Sequence, residues 1–368
     1  MKQDITAYEL YHLLRELDFL KGGKIEQIYQ EGKERITLVI HAQEKRFIHV
    51  FVGKLFFLGL HKGENPERPP GFCSYLRKYL KNARIQNISQ RGFERIIDIE
   101  LSTKEKTYHL IVELIPPGNV ILCDEDYVIL SPLTTANYAD RVIRARVPYE
   151  HPQKEFNFLT LEEEQLNALI TSTTCDTLVT SLAIDLGLGG LYAEEVCVRA
   201  KIDKDTKPSE LTEDQKEMLF AALQLLRSQK TQPHLIKKSE RIVNIIPIKL
   251  ESKECEEAQW NTYWETLAHL LTQKKHEEVL KHVEKKANTK TRQLEERIKK
   301  QEQIIKGLQQ SEEENQKIGE AIYENYAQLD ELLKELNALR EKGGWKAIKE
   351  KYPNLVVNEK TGEVTVDL

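Results

Sequence analysis

The sequence has no run of apolar residues long enough to cross a membrane, and its opening MKQDITAYEL lacks the apolar stretch of a signal peptide. No membrane partner is expected, and the expected location is the cytoplasm. Cysteine is sparse: Cys73, Cys123, Cys175, Cys197 and Cys255 are scattered, odd in number and without a C-x-x-C pair. That argues against a disulfide framework or a zinc site and leaves buried, reduced thiols as the expected role. The ten histidines form no metal spacing, since HEEVLKH is not H-E-x-x-H. There is no P-loop, no G-x-S-x-G and no dinucleotide fingerprint. No catalytic residue, metal or cofactor is expected. An excess of positive charge is missing too: 54 Lys and Arg face 59 Asp and Glu, so any nucleic-acid binding must come from local patches.

What is present falls into segments. Thr6 and Glu9 fit a capping box, and Leu10, Leu13, Leu14 and Leu17 mark one helical face before Lys21-Gly22-Gly23 ends it. Strand-like stretches follow: KIEQIYQ, ERITLVIH, KRFIHVFV and KLFFLGL, then, after the short helix GFCSYLRKYLKNA, RIQNISQ, ERIIDIEL, TYHLIVELI and GNVILCDE. Residues 1–155 therefore read as a largely antiparallel sheet domain with at least two helices. Residues 156–235 turn helical around Gly187-Leu188-Gly189-Gly190, 236–259 read as an extended connection, 260–342 as a coiled coil and 343–368 as a small β tip. The fold class is α+β and multidomain.

The coiled-coil reading rests on sites spaced alternately by three and four residues: Leu280, Val283, Ala287, Thr291, Leu294, Ile298, Gln301, Ile305, Leu308, Glu312, Asn315, Gly319, Ile322, Tyr326, Leu329, Leu333 and Leu336. The phase survives the polar middle, which favours one long helix over a hairpin near Gly307. Lys and Arg dominate residues 273–310, Asp and Glu 311–342. So narrow a seam wants a partner helix, and a homodimer would supply one.

Three features carry candidate chemistry. In the first, glycines at 187, 189 and 190 between two helices fit a helix-hairpin-helix whose second helix offers free N–H groups to a phosphate, or equally a plain αα corner. In the second, eight Lys and Arg lie between Lys62 and Arg95 against Glu64, Glu67 and Glu94. Arg77, Lys81 and Arg84 can share a helix face with Lys78 beside it. That face could grip a phosphate backbone or simply be solvated. In the third, Glu94 and Arg95 stand next to each other at the mouth of a strand. Successive strand side chains point to opposite faces, so at least one of the two needs another partner. An RNA phosphate suits the arginine fork; a strand-edge ion pair is the plain alternative.

Taken in order, MKQDITAYELYHLLREL, GFCSYLRKYLKNARI, GFERIIDIEL, PPGNVILCDED, LGLGGLYAEEVCVRAKID and IYENYAQLDELL resemble the NFACT family. That family includes RqcH of bacteria and archaea, nuclear export mediator factor and proteins once labelled fibronectin-binding; the closest phrases look archaeal. The resemblance implies an NFACT-N domain similar in fold to the N-terminal domain of formamidopyrimidine DNA glycosylases. A helix-hairpin-helix domain and a coiled coil with a middle domain at its tip would follow. The chain would then stop within the middle domain, before a returning helix and an NFACT-R domain. The implied function is ribosome quality control: binding a stalled large ribosomal subunit that carries peptidyl-tRNA, and recruiting aminoacyl-tRNA (alanyl-tRNA in bacteria) for untemplated C-terminal tailing. The family's functional Asp–Arg pair falls here on Glu94 and Arg95, and its first-helix Asp on Glu9. Each carboxylate is one methylene longer than in the family. The implied tRNA-binding set is thus Glu9, Glu94 and Arg95, joined by Arg77, Lys78 and Lys81 of the basic stretch. The alternative is a glycosylase-like enzyme on DNA. Enzymes of that fold need an N-terminal proline amine, and Met1 is followed here by Lys2.

Overall fold

The computed structural model describes residues 2, 4–63, 68–138, 141–152, 154–239 and 241–366, with only the backbone described over 273–295. Glu64 and Glu67 of the basic stretch lie outside the described residues, as do the side chains of Leu280, Val283, Ala287, Thr291 and Leu294. The chain divides into two units, Met1–Glu278 and Val279–Leu368.

In the first unit, alternating apolar residues build two antiparallel meanders that share one nine-stranded sheet. The first meander contains β1 (Lys24–Glu31), β2 (Arg35–Ala42), β3 (Glu44–Phe51) and β4 (Leu55–Gly59). The second contains β5 (Arg84–Gln90), β6 (Ile96–Ser102), β7 (Thr107–Glu113), β8 (Asn119–Asp124) and β9 (Ile129–Pro132), with β1 beside β5 at the seam. The inward residues Ile36, Leu38, Ile40, Ile48, Ile97, Ile99 and Leu101 share one core. The β3–β4 and β7–β8 turns press together so closely that a Cβ on Gly118 would lie 2.1 Å from the Gly53 nitrogen.

Helix α1 (Ala7–Arg15) serves two cores at once. Leu10, Leu13, Leu14 and Leu17 fill the sheet core, while Ala7 and Tyr8 fill a second core made by helices. Those helices are α3 (Glu163–Ser172), α4 (Leu178–Ile184), α5 (Gly190–Ala200) and α6 (Glu213–Ser228); α2 (Gly71–Leu80) packs on the sheet. Tyr8 Oη donates to Leu226 O at 2.9 Å and ties α1 to α6.

The extended connection after α6 is a small sheet in its own right. β12 (His234–Lys238) pairs with β13 (Arg241–Ile246) and with β14 (Glu256–Glu257). Leu235 and Ile245 enter the first core, Ile246, Ile248 and Leu250 the second, so this segment stitches both together. Two further short strands, β10 (Ala136–Asn137) and β11 (Val142–Ile143), belong to the segment that covers the outer face of β6–β8. Two-residue strands carry too little alternation to be read from sequence.

His12 sits at the junction, fully buried between Tyr8 and Tyr11, with Nδ1 2.8 Å from Thr231 Oγ1. Burial, aided by Arg15, pushes its pKa down to about 4. The unfolded imidazole takes its proton near ~6.5. Protons therefore bind the unfolded chain preferentially between these values, and stability falls as pH falls through that window. Between pH 7 and pH 5 the wild type should lose about 2 kcal/mol more than His12→Gln, read from urea midpoints. Equal losses would remove His12 as the cause.

Helix α7 (Tyr263–Glu324) begins in the first unit, where Tyr263 and Leu267 join the sheet core, and continues into the second. It passes through Gly307 without turning. Asn325 then breaks it, its side chain donating to Ala321 O at 2.9 Å, before α8 (Tyr326–Lys351) resumes. This interruption is invisible in the seam pattern, whose phase runs on. Seam residues Ile298, Ile305, Leu308, Ile322 and Leu333 are exposed, whereas Leu336 is buried. Gly344 adopts φ 67°, and the residues after it fold back: Tyr352 Oη donates to Glu335 at 2.7 Å and Arg340 lies over Trp345. The hairpin of β15 (Val356–Asn358) and β16 (Glu363–Thr365) ends the described chain. No helix among the described residues is long and apolar enough to cross a membrane.

Candidate nucleic-acid interface

The loop between β5 and β6 carries the acid–base pair. Gln90 pairs with Ile97, so Arg91 to Arg95 form the hairpin turn and the strand proper begins at Ile96. Gln90 Nε2 fixes the turn to α1 and to itself, donating to Ala7 O at 3.0 Å and Glu94 O at 2.8 Å. Phe93 plugs the helical core against Phe158. Glu94 and Arg95 do not pair with each other. Glu94 Oε1 lies 3.1 Å from Lys154 Nζ. Arg95 is half-buried, and its side chain makes no hydrogen bond or ion pair among the described residues.

Glu9 faces the other way. Its side chain is 1% exposed and forms an ion pair at 2.6 Å with Lys2, itself buried. It accepts from Tyr192 Oη at 3.1 Å and from the Thr6 N–H at 2.8 Å, the second bond closing the capping box. Glu9, expected among the RNA-contacting groups, is thus enclosed and its carboxylate is taken up by the protein. It holds the amino-terminal segment, α1 and α5 together. Lys2 adds bonds to Asn244 Oδ1 and Ile245 O, at 3.1 and 3.0 Å. Burial pulls the Lys2 ammonium below its ordinary pKa, and Glu9 opposes that shift.

The glycine hairpin comes to the same corner. Gly187 and Gly189 both take positive φ, and Gly189 caps α5 without a side-chain bond. Gly187 faces Lys154, whose Nζ would lie 2.6 Å from any added Cβ; Gly189 faces Thr6. Gly190 is exposed at the helix start. Three sequence-distant features therefore meet: the 91–95 turn, the hairpin and the start of α1.

The basic stretch is used differently. Helix α2 stops at Leu80, so Lys81 and Arg84 do not continue one helical face with Arg77. Arg77 spends its Nε on Ile28 O at 2.7 Å and stacks on Tyr29; Arg84 donates to Gly22 O. Lys78 and Lys81 remain exposed.

Behind the turn lies a buried network that motif reading misses. Asp98 is 3% exposed and binds Arg91, His109 Nδ1 at 2.9 Å and Tyr127 Oη at 2.7 Å. The alternation of β6 shows only that Asp98 faces away from the first core; the covering segment after β8 makes that face interior. Arg91, Glu94, His151, Lys154, Phe156 and Asn157 help to line a cleft of about 280 Å³.

The N-terminal and middle domains of NFACT match this chain over residues 6–367. The chain belongs to the NFACT family. An archaeal Rqc2 homolog, aRqcH of Methanocaldococcus jannaschii, is 30% identical over 402 aligned positions, covering all of this chain and 58% of its own length. The human ribosome quality control complex subunit NEMF is 32% identical over 170 residues, 44% of this chain and 16% of its own. This NFACT chain thus spans under two thirds of these relatives' lengths. In fold, it is similar to the N-terminal part of the fibronectin/fibrinogen-binding protein of Streptococcus suis. The TM-score is 0.58 at 22% identity, over 73% of this chain and 100% of that one. The large antiparallel sheet with attached helices is accordingly the NFACT N-terminal fold.

Proposed function

We propose that this chain is the RNA-binding part of a ribosome quality control factor, one that positions tRNA beside a stalled large ribosomal subunit. The human relative NEMF carries ribosome quality control in its name, which favours that setting. The observation that carries the reading is Arg95. Its permanently charged guanidinium has no protein partner among the described residues and is open to solvent on a tethered turn, which leaves its fork of donors available to an anion. Glu94 and the exposed Lys78 and Lys81 would frame the same ligand. The uncapped N-terminus of α5, opened by Gly187, Gly189 and Gly190, would hold a backbone phosphate. On this reading the ribosome performs peptidyl transfer, and the protein recruits aminoacyl-tRNA for tailing in the cytoplasm. The exposed seam of α7 would take a partner helix, a second copy being one source.

The glycosylase reading is not favoured: Met1 and Lys2 stand where that fold needs an N-terminal proline, and the Lys2 side-chain ammonium is bonded to Glu9, Asn244 and Ile245 O. Sequencing the RNA that co-purifies with the chain from cells tests the proposal. Enrichment of tRNA together with large-subunit ribosomal RNA is expected; recovery of neither would end it.

A further inference from the structure

The cleft beside Glu94 is lined by more donors than acceptors. Arg91 commits Nε and Nη2 to Asp98, leaving Nη1 without a partner among the described residues. Lys154 Nζ forms an ion pair with Glu94 Oε1 at 3.1 Å, and an ammonium carries three protons, so donors remain on it beyond that pair. Asn157 uses its oxygen to accept from the Leu159 N–H at 3.0 Å, which leaves the side-chain NH₂ free among the described residues. His151 packs edge-on to Tyr127 and Tyr149, with a buried Nδ1 that has no partner among the described residues. Arg91, Lys154 and Asn157 can only donate with what remains, His151 can donate, and Glu94 is the single carboxylate in the lining. Phe93 and Phe156 add apolar wall, which strengthens charge-assisted bonds by excluding water.

A ligand that answers such a lining is rich in acceptors, compact and negatively charged. We propose that this cleft holds a phosphate group, bound by Lys154, Arg91 and His151, with Glu94 positioning the Lys154 ammonium over Gly187. Resting on the RNA-binding reading above, the phosphate belongs to an RNA backbone, and the cleft is a second anchor beside Arg95. A free nucleotide offers the same chemistry.

Equilibrium binding of unfractionated tRNA by the full chain, measured over a salt series, tests this. Lys154 is exposed, so Lys154→Gln should fold normally. It should weaken binding about fivefold to tenfold and lower the slope of log affinity against log salt by about 0.7–0.9, the loss of one phosphate contact. Lys106→Gln, on the remote β6–β7 turn, should leave both unchanged. If wild type binds tRNA and Lys154→Gln keeps its slope, the cleft proposal fails while the RNA reading stands. If wild type ignores tRNA but AMP or inorganic phosphate raises its melting temperature only when Lys154 is present, the phosphate site stands and the RNA reading falls. No response to any of these probes overturns both.

Discussion

Replacing Glu9 by glutamine is expected to destabilise the first unit by about 3–5 kcal/mol, the range for breaking one side of a buried ion pair. The substitution keeps the size of the side chain and leaves an amide oxygen able to accept the Thr6 N–H bond at 2.8 Å. It removes the charge that compensates Lys2, 2.6 Å away where neither side chain is more than 2% exposed, and puts an amide NH₂ in place of the Oε1 that accepts from Tyr192. The ammonium would then have Asn244 and Ile245 O alone, and would shed its proton rather than remain charged. Urea unfolding at neutral pH measures the effect. A loss under ~1 kcal/mol would mean that the pair is looser or wetter than the structure has it. Because Tyr192 also hydrogen-bonds Glu9, the same variant should loosen the hold of α5, and with it the glycine hairpin, on α1.

Arg95→Ala should behave in the opposite way. No protein group depends on its guanidinium among the described residues, so unfolding midpoints should stay within ~0.5 kcal/mol of wild type. Affinity for tRNA should drop roughly 10- to 100-fold, the worth of one charge-assisted hydrogen bond or a bidentate pair. Glu94→Asp should be tolerated by comparison. Filter binding with unfractionated tRNA reads the difference, and undiminished binding by Arg95→Ala would remove Arg95 from the interface. The contrast between the two variants separates a residue that holds the fold from one held out by it.

Much of the first unit was legible beforehand. Strands β1 to β8 are apolar segments bounded by polar or glycine breaks, and the capping box of Thr6 and Glu9 sets the start of α1 as its spacing demands. Gly187 and Gly189 take positive φ between α4 and α5, the tight turn that a helix-hairpin-helix and a plain αα corner both need. The β12–β14 sheet was not legible, nor was the segment covering β6–β8. Their strands are short, and their apolar residues serve cores built from distant parts of the chain. The break at Asn325 was hidden as well, since a seam pattern records which side is apolar and not whether the backbone is continuous.

The candidate site divides along the same line. Order and spacing of residues singled out Glu94 and Arg95 and brought the NFACT family into view, and the resemblance added Glu9. Only the tertiary structure separated them: Glu9 buried against Lys2 and Tyr192, Glu94 facing Lys154, and Arg95 without a partner among the described residues. Local periodicity fixes which way a side chain leaves the backbone. Whether that side chain meets water, an opposite charge or nothing depends on residues up to 183 positions away, as Tyr192 is from Glu9, and such pairings leave no trace in local pattern.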